Sequence, residues 1–179
     1  MRRTRALCCL AGASSMLLAG VAVTGCTAAP GGPALWGSEG RDADTLCSSV
    51  ALGDRMLVAD VLEAPDDTVV EVLAVEPVNP RNLRIAEIAI APLEDGSGSI
   101  GNSSLPPTDA LTETIWNARV PVSGYQLAAG DRADVLVVAE RTTGDEGSIE
   151  TIRIRYRAGG ITWEKSASTF YQFRETCLG

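Results

Sequence analysis

The chain has 179 residues, with 15 basic and 23 acidic side chains, no histidine and a formal charge of −8. That acidity removes the basic footprint a nucleic acid or other polyanion requires. Without imidazole there is no Ser-His-Asp or Cys-His arrangement, no zincin helix and no imidazole metal ligand. The length suits one domain with an appended segment.

Residues 1–25 begin with the positive side chains of Arg2, Arg3 and Arg5, and the run from Ala6 to Val23 is nearly all apolar or small. Gly12, Ser14, Ser15 and Gly20 interrupt that run and it stops at a cysteine. A secretory signal looks like this, whereas a spanning helix needs about 20 predominantly apolar residues. Val23-Thr24-Gly25-Cys26 resembles the lipobox of bacterial lipoproteins, with Val23 at the position where leucine is commonest. The resemblance implies that the Cys26 thiol receives a diacylglyceryl group, that the preceding peptide bond is cut, and that Cys26 becomes the first mature residue. Acyl chains, at roughly 0.8 kcal/mol per buried methylene, hold a soluble domain on a membrane without a spanning segment. Processing removes three arginines and no acids, leaving 12 basic against 23 acidic side chains, formally −11. Such a surface repels anionic headgroups, so the membrane is expected as a partner through the anchor at Cys26 alone.

Residues 26–46 read as a lipidated, flexible tether, small and polar from Thr27 to about Thr45. Trp36 within it is expected to be an incidental exposed aromatic. Residues 47–179 form the folded domain. Cys8 and Cys9 leave with the signal and lipid consumes Cys26, so Cys47 and Cys177 are expected to pair in an oxidising compartment. Their bond closes nearly the whole domain into one loop, which chain entropy values at about 5 kcal/mol.

The domain reads as mostly extended. Met56–Leu62 is a strand or a helical turn. Strands are expected over Thr68–Val75, closed by Pro77, over Leu83–Ala91, closed by Pro92, over Thr114–Val120, closed by Pro121, and over Ala133–Glu140. The apolar register slips between Ile85 and Ile88, and a bulge near Ala86-Glu87 repairs it. Glu94–Thr108, rich in glycine, proline, serine and threonine, reads as a long crossover between sheets. The clearest strand is Ile149–Arg157: Ile152, Ile154 and Tyr156 point to one face, and Thr151, Arg153, Arg155 and Arg157 to the other. Gly159-Gly160 turns it into Ile161–Glu164, with Ile161 and Trp163 on the inner face, and Thr169–Phe173 is the last strand. Strands at this spacing predict an all-β, antiparallel sandwich of about 7–8 strands.

Pro-Val-Asn-Pro-Arg-Asn-Leu-Arg (Pro77 to Arg84), the Leu-x-x-Gly turn at Leu127 to Gly130 and Tyr-Arg-Ala-Gly-Gly (Tyr156 to Gly160) are similar to a group of uncharacterised secreted or lipidated proteins of high-G+C Gram-positive bacteria. That resemblance spans roughly residues 47–177 and implies an immunoglobulin-like sandwich with no assigned activity and no catalytic residue.

Candidate chemistry is sparse. Lys165, the lone lysine, reads as a solvated side chain. Asp66-Asp67, Glu94-Asp95 and Asp145-Glu146 read as turn formers rather than as the facing acids of a glycosidase. Glu94-Asp95-Gly96-Ser97-Gly98 lacks the acidic spacing of an EF-hand, and Met56 is the only methionine left for a copper site. No cofactor or metal is expected. Arg153, Arg155 and Arg157 form a stripe able to receive a carboxylate or phosphate, against which stands cross-strand pairing with neighbours such as Glu140 or Glu164. Tyr156, Trp163, Phe170, Tyr171 and Phe173 gather most of the aromatic side chains, and any left outside the core, with Trp163 and Tyr171 as candidates, would form a docking or stacking patch. The expected function is a non-enzymatic protein-interaction or accessory module, anchored at the outer face of the cytoplasmic membrane. A small-ligand-binding lipoprotein and a carboxylate-based enzyme are the alternatives.

Overall fold

The period-two alternation read at Ile149–Arg157 holds from Thr151, Ile149 closing a separate strand, and it is the rule by which most of the described residues fold. The structure, a computed structural model, describes residues 29–30, 32–33, 35–36 and 44–177. The signal peptide read at 1–25 and the lipidation site Cys26 lie outside the described residues. Twelve strands and one helix follow in order among those described: β1 (Ala29–Pro30), β2 (Thr45–Ser49), β3 (Arg55–Glu63), β4 (Val70–Val78), β5 (Leu83–Leu93), β6 (Asn102–Ser104), α1 (Ala110–Asn117), β7 (Tyr125–Leu127), β8 (Arg132–Arg141), β9 (Glu146–Ile149), β10 (Thr151–Ala158), β11 (Ile161–Ser166) and β12 (Phe170–Arg174).

The fold is all-β and sandwich-like, with one short helix. An antiparallel four-stranded sheet has the order β5-β8-β3-β6. Across from it lie a five-stranded sheet, β1-β11-β10-β4-β7, and a three-stranded sheet, β2-β12-β9. Only Glu150 separates β9 from β10, so the chain passes directly from one of these sheets to the other. Parallel pairing occurs where β1 joins β11 and β2 joins β12; the other ladders are antiparallel. Tyr156, Ile154 and Val72 from the five-stranded sheet and Ile149, Tyr171 and Phe173 from the three-stranded sheet share one core with Val58, Leu62, Val135 and Val137. Each fully buried apolar side chain of this size stabilises the fold by about 1.5–3 kcal/mol relative to exposure.

β8 is buried along nearly its whole length because both of its faces are covered. Val135, Val137 and Ala139 enter the main core. Leu136 and Val138 enter a second core, with Leu57, Ala59, Ala89 and Ala91, capped by Ile100 and by Ile115 of α1. The disulfide forms between Cys47, on β2, and Cys177, with Cα atoms 5.9 Å apart and the two cysteines separated by 130 positions in sequence. The backbone N–H of Cys177 donates to Ser49 Oγ at 3.1 Å, so the C-terminal end is tied to the same strand.

Several expectations are met in detail. β10 alternates as read, with Ile152, Ile154 and Tyr156 fully buried. The β5–β8 register shifts between Ile85 and Glu87, the bulge inferred from the slipped pattern. Other elements are corrected. The first half of the stretch read as a strand at Thr114–Val120 is the end of helix α1, begun by Asp109, whose carboxylate accepts from the Thr112 N–H at 2.9 Å, and capped by Ala118. Val120 alone makes a strand-like contact, a bridge to Ile90. Pro77 and Pro92 do not close their strands. Beyond Val72, β4 is paired only to β10, and β5 is an edge strand, positions where a missing N–H is tolerated.

The crossover after β5 does not change sheets. It passes from one edge of the four-stranded sheet to the other, where β6 pairs with β3. Within the segment read as a tether, Ala29-Pro30 pairs with β11, and Leu35 and Trp36 are buried. Trp36, 4% exposed, forms a bridge with Leu62 and belongs to the main core, so it is not an incidental surface residue. Ile161, expected on the inner face, is 51% exposed at the β10–β11 turn.

Candidate functional site

The arginine stripe lies on the outer face of β10. Register places Arg157 opposite Glu71 and Arg153 opposite Glu76 on β4. Arg157 Nη1 donates to Glu71 at 2.6 Å, and Arg153 is shared between Glu76, at 3.8 Å, and Glu164 of β11, at 3.6 Å. Cross-strand pairing therefore takes Arg153 and Arg157. Glu140 instead binds Arg84 and Arg55 on the other sheet. Arg155, between the two paired arginines, makes no ion pair among the described residues. It borders a shallow cleft of about 310 Å³ lined by Ala74, Glu76, Arg153 and Glu164.

The aromatic cluster is largely interior. Tyr156, Tyr171 and Phe173 are fully buried, so Tyr171 offers no docking surface. Trp163 is half-buried and covered by the N-terminal segment: a Cβ on Gly32, at φ +108°, would stand 2.6 Å from its Cδ2. The neighbouring Pro33 carbonyl accepts from the Tyr156 hydroxyl at 2.9 Å. Only glycine fits that close approach with that backbone conformation. Lys165 is half-buried, in register with the buried Ile154, rather than freely solvated.

Two acids inside strands, the half-buried Asp60 and the buried Asp134, escaped the sequence reading, although an aspartate inside an apolar strand was the available signal. Asp60 is opposite Val135 and Asp134 opposite Val61, adjacent rungs of the β3–β8 ladder, so the two carboxylates project from opposite faces of the sheet. They do not confront each other across a cleft, as paired catalytic acids must. On the main-core side, Asp60 accepts from the Tyr171 hydroxyl at 3.1 Å, from Thr169 Oγ1 at 3.3 Å and from the Val61 N–H at 2.9 Å. Burial pushes its carboxyl above the ordinary range despite those donors, and burial with the Asp60 charge raises the Tyr171 phenol. Asp134 is fully buried; its Oδ2 accepts from the Ile100 N–H at 2.9 Å, and its Oδ1 has no partner among the described residues. Burial pushes its carboxyl up to about 7, with the Ile100 N–H and Arg132 opposing the rise and Asp60 adding to it.

A second concavity was not legible because its helix was read as a strand. The end of β5 supplies Pro92, Leu93 and Glu94, the crossover supplies Ser97, and α1 supplies Leu111, Thr114, Ile115 and Ala118. The groove encloses about 290 Å³ and is walled mainly by carbon. Leu111, Ile115 and Ala118 recur at helical spacing, the signal that would have found it. Gly98 borders this wall: Leu111 Cδ2 lies 3.4 Å from the position a Cβ on Gly98 would take. Arg119, next to this face, is committed elsewhere: its Nε donates to Glu87 at 2.7 Å, its Nη1 donates to the Trp116 carbonyl, and its guanidinium stacks 3.6 Å over the Trp116 ring.

Among the described residues, no group of three or more Cys, Asp or Glu is placed to hold a metal ion, and no helix is long and apolar enough to cross a membrane. No family model matches the chain, and a search of curated proteins finds no match.

Proposed function

We propose that the chain is an exported lipoprotein, anchored through Cys26 at the outer face of the cytoplasmic membrane. Its immunoglobulin-like sandwich serves there as a non-enzymatic protein-interaction or accessory module. The observation that carries this reading is the Cys47–Cys177 disulfide. Such bonds persist in oxidising compartments, where the lipobox at Val23–Cys26 would deliver the domain. The surface chemistry agrees with a binding rather than a reactive role. Two of the three stripe arginines are neutralised by neighbouring glutamates, Asp60 and Asp134 point apart, and an apolar concavity beside α1 is open to a docking partner. A second reading, a small-ligand carrier, rests on Arg155 and its cleft.

The test is fractionation of cells producing the intact chain, with and without globomycin, followed by cross-linking on the membrane. The proposal expects the chain in the membrane fraction, unprocessed precursor under globomycin, and a cross-linked protein partner. A soluble product whose size ignores globomycin contradicts the anchor, and an anchored chain with no cross-linked partner contradicts the module.

A further inference from the structure

We infer that the groove between α1 and the end of β5 is a docking site for a protein partner that inserts an apolar side chain beside a lysine or arginine. The inference rests on the interaction-module reading and names the surface it uses.

The shape selects the kind of occupant. The groove, about 290 Å³ and open on one side, leaves a bound group partly in solvent, as an inserted side chain of a partner is, whereas small-molecule pockets bury most of the ligand's surface. Partners commonly anchor through one apolar group in such a pocket, surrounded by weaker contacts. Ile115 forms the buried floor and Leu111, 46% exposed, forms a wall that water now wets. Covering that wall is favourable at about 25 cal/mol per Å² of apolar surface removed from water.

Charge selects the neighbouring residue. Glu94 is the one charged residue in the lining, and its carboxylate makes no ion pair among the described residues. Its backbone carbonyl, by contrast, is occupied by the Ser97 N–H and hydroxyl, at 2.9 and 2.7 Å, which hold the turn on which Glu94 is exposed. Asp95 follows it, also exposed. The basic residues nearby are used, Arg119 by Glu87 and Trp116, and Arg132 by the Ser97 carbonyl at 3.4 Å. The rim thus presents net negative charge beside an apolar slot, Glu94 and Asp95 together outweighing the single cation Arg132 held at Ser97. A cation next to the anchor complements it, and an acidic segment or an anionic lipid surface is repelled.

Selection of random short peptides displayed against the full-length protein in detergent tests the inference. The expected result is enrichment of an aliphatic or aromatic residue within two positions of lysine or arginine. Leu111→Asp should abolish binding of the selected peptides, and Glu94→Gln should weaken it up to about fivefold, the ceiling for an exposed ion pair. Glu94→Lys should shift selection toward acidic flanks, and Glu76→Lys, on the opposite sheet, should change nothing. Circular dichroism establishes that the variants fold, and Glu94→Lys, on an exposed turn, carries the test if Leu111→Asp does not. Acidic or purely apolar consensus sequences, no enrichment, or binding indifferent to Glu94→Lys overturns the inference. A membrane partner that cross-links equally well to the Glu94→Lys variant leaves the module standing and removes this groove from it.

Discussion

Replacing Asp134 by asparagine should make the domain more stable, by an amount that depends on pH in a set way. The side chain is fully buried, and only one of its oxygens is hydrogen-bonded among the described residues. Its carboxyl titrates at about 7 in the fold, against 3.8 for an ordinary aspartate. Below pH 3.8 the group is neutral in both folded and unfolded chains and costs nothing in ionisation. As pH rises toward 7 the unfolded chain releases the proton and the folded chain keeps it, so stability falls by about 1.4 kcal/mol per pH unit. Over the interval from 3.8 to about 7 the loss reaches about 4 kcal/mol and then levels off. Asparagine retains the acceptor for the Ile100 N–H without a charge to bury. Urea unfolding of the two proteins side by side should show nearly equal stability near pH 4, diverging to a variant more stable by about 4 kcal/mol near pH 8. Asp60 is common to both chains and largely cancels from the difference. A gap that does not change with pH, or a variant less stable at neutral pH, refutes the account of this buried carboxylate.

Other perturbations follow from the same packing. Changing both Cys47 and Cys177 to serine opens a loop of 130 residues and should cost up to about 5 kcal/mol, read as a lower denaturation midpoint with an unchanged native spectrum. Trp36→Ala empties a core position that belongs to the N-terminal segment and should cost about 3–5 kcal/mol; a change within about 0.5 kcal/mol would mean that Trp36 is solvated. Asp109→Ala removes the helix cap and should cost about 1 kcal/mol, visible as faster amide exchange in the first turn of α1.

What could be read from the residues alone was local and periodic. The β10 pattern needs only its own alternation, the bulge at Ile85/Glu87 only a slipped register, and the disulfide only a count of the cysteines that follow Cys26. Features made by distant segments were out of reach. Trp36 has no periodic neighbour, and its burial depends on Leu62, another strand's residue. Thr114, Ile115, Trp116 and Val120 make the run Thr114–Val120 read as a strand, yet the Asp109 cap and the uncovered face of the four-stranded sheet make its first half the end of a helix. Tertiary packing overrode propensity there. The same misreading hid the groove, whose walls come from three segments. The arginine stripe is mixed: its face and its pairing with Glu164 were legible, while Glu71 and Glu76 as partners, and Glu140 facing other arginines, depend on strand order.

The central claim is that the sandwich works while tethered by lipid at Cys26, and mass spectrometry of the mature N-terminal peptide tests it most directly. The account predicts a peptide that begins at Cys26, carries a diacylglyceryl thioether and disappears in a Cys26→Ser variant. A mature chain that begins elsewhere, or begins at Cys26 with an unmodified thiol, contradicts it.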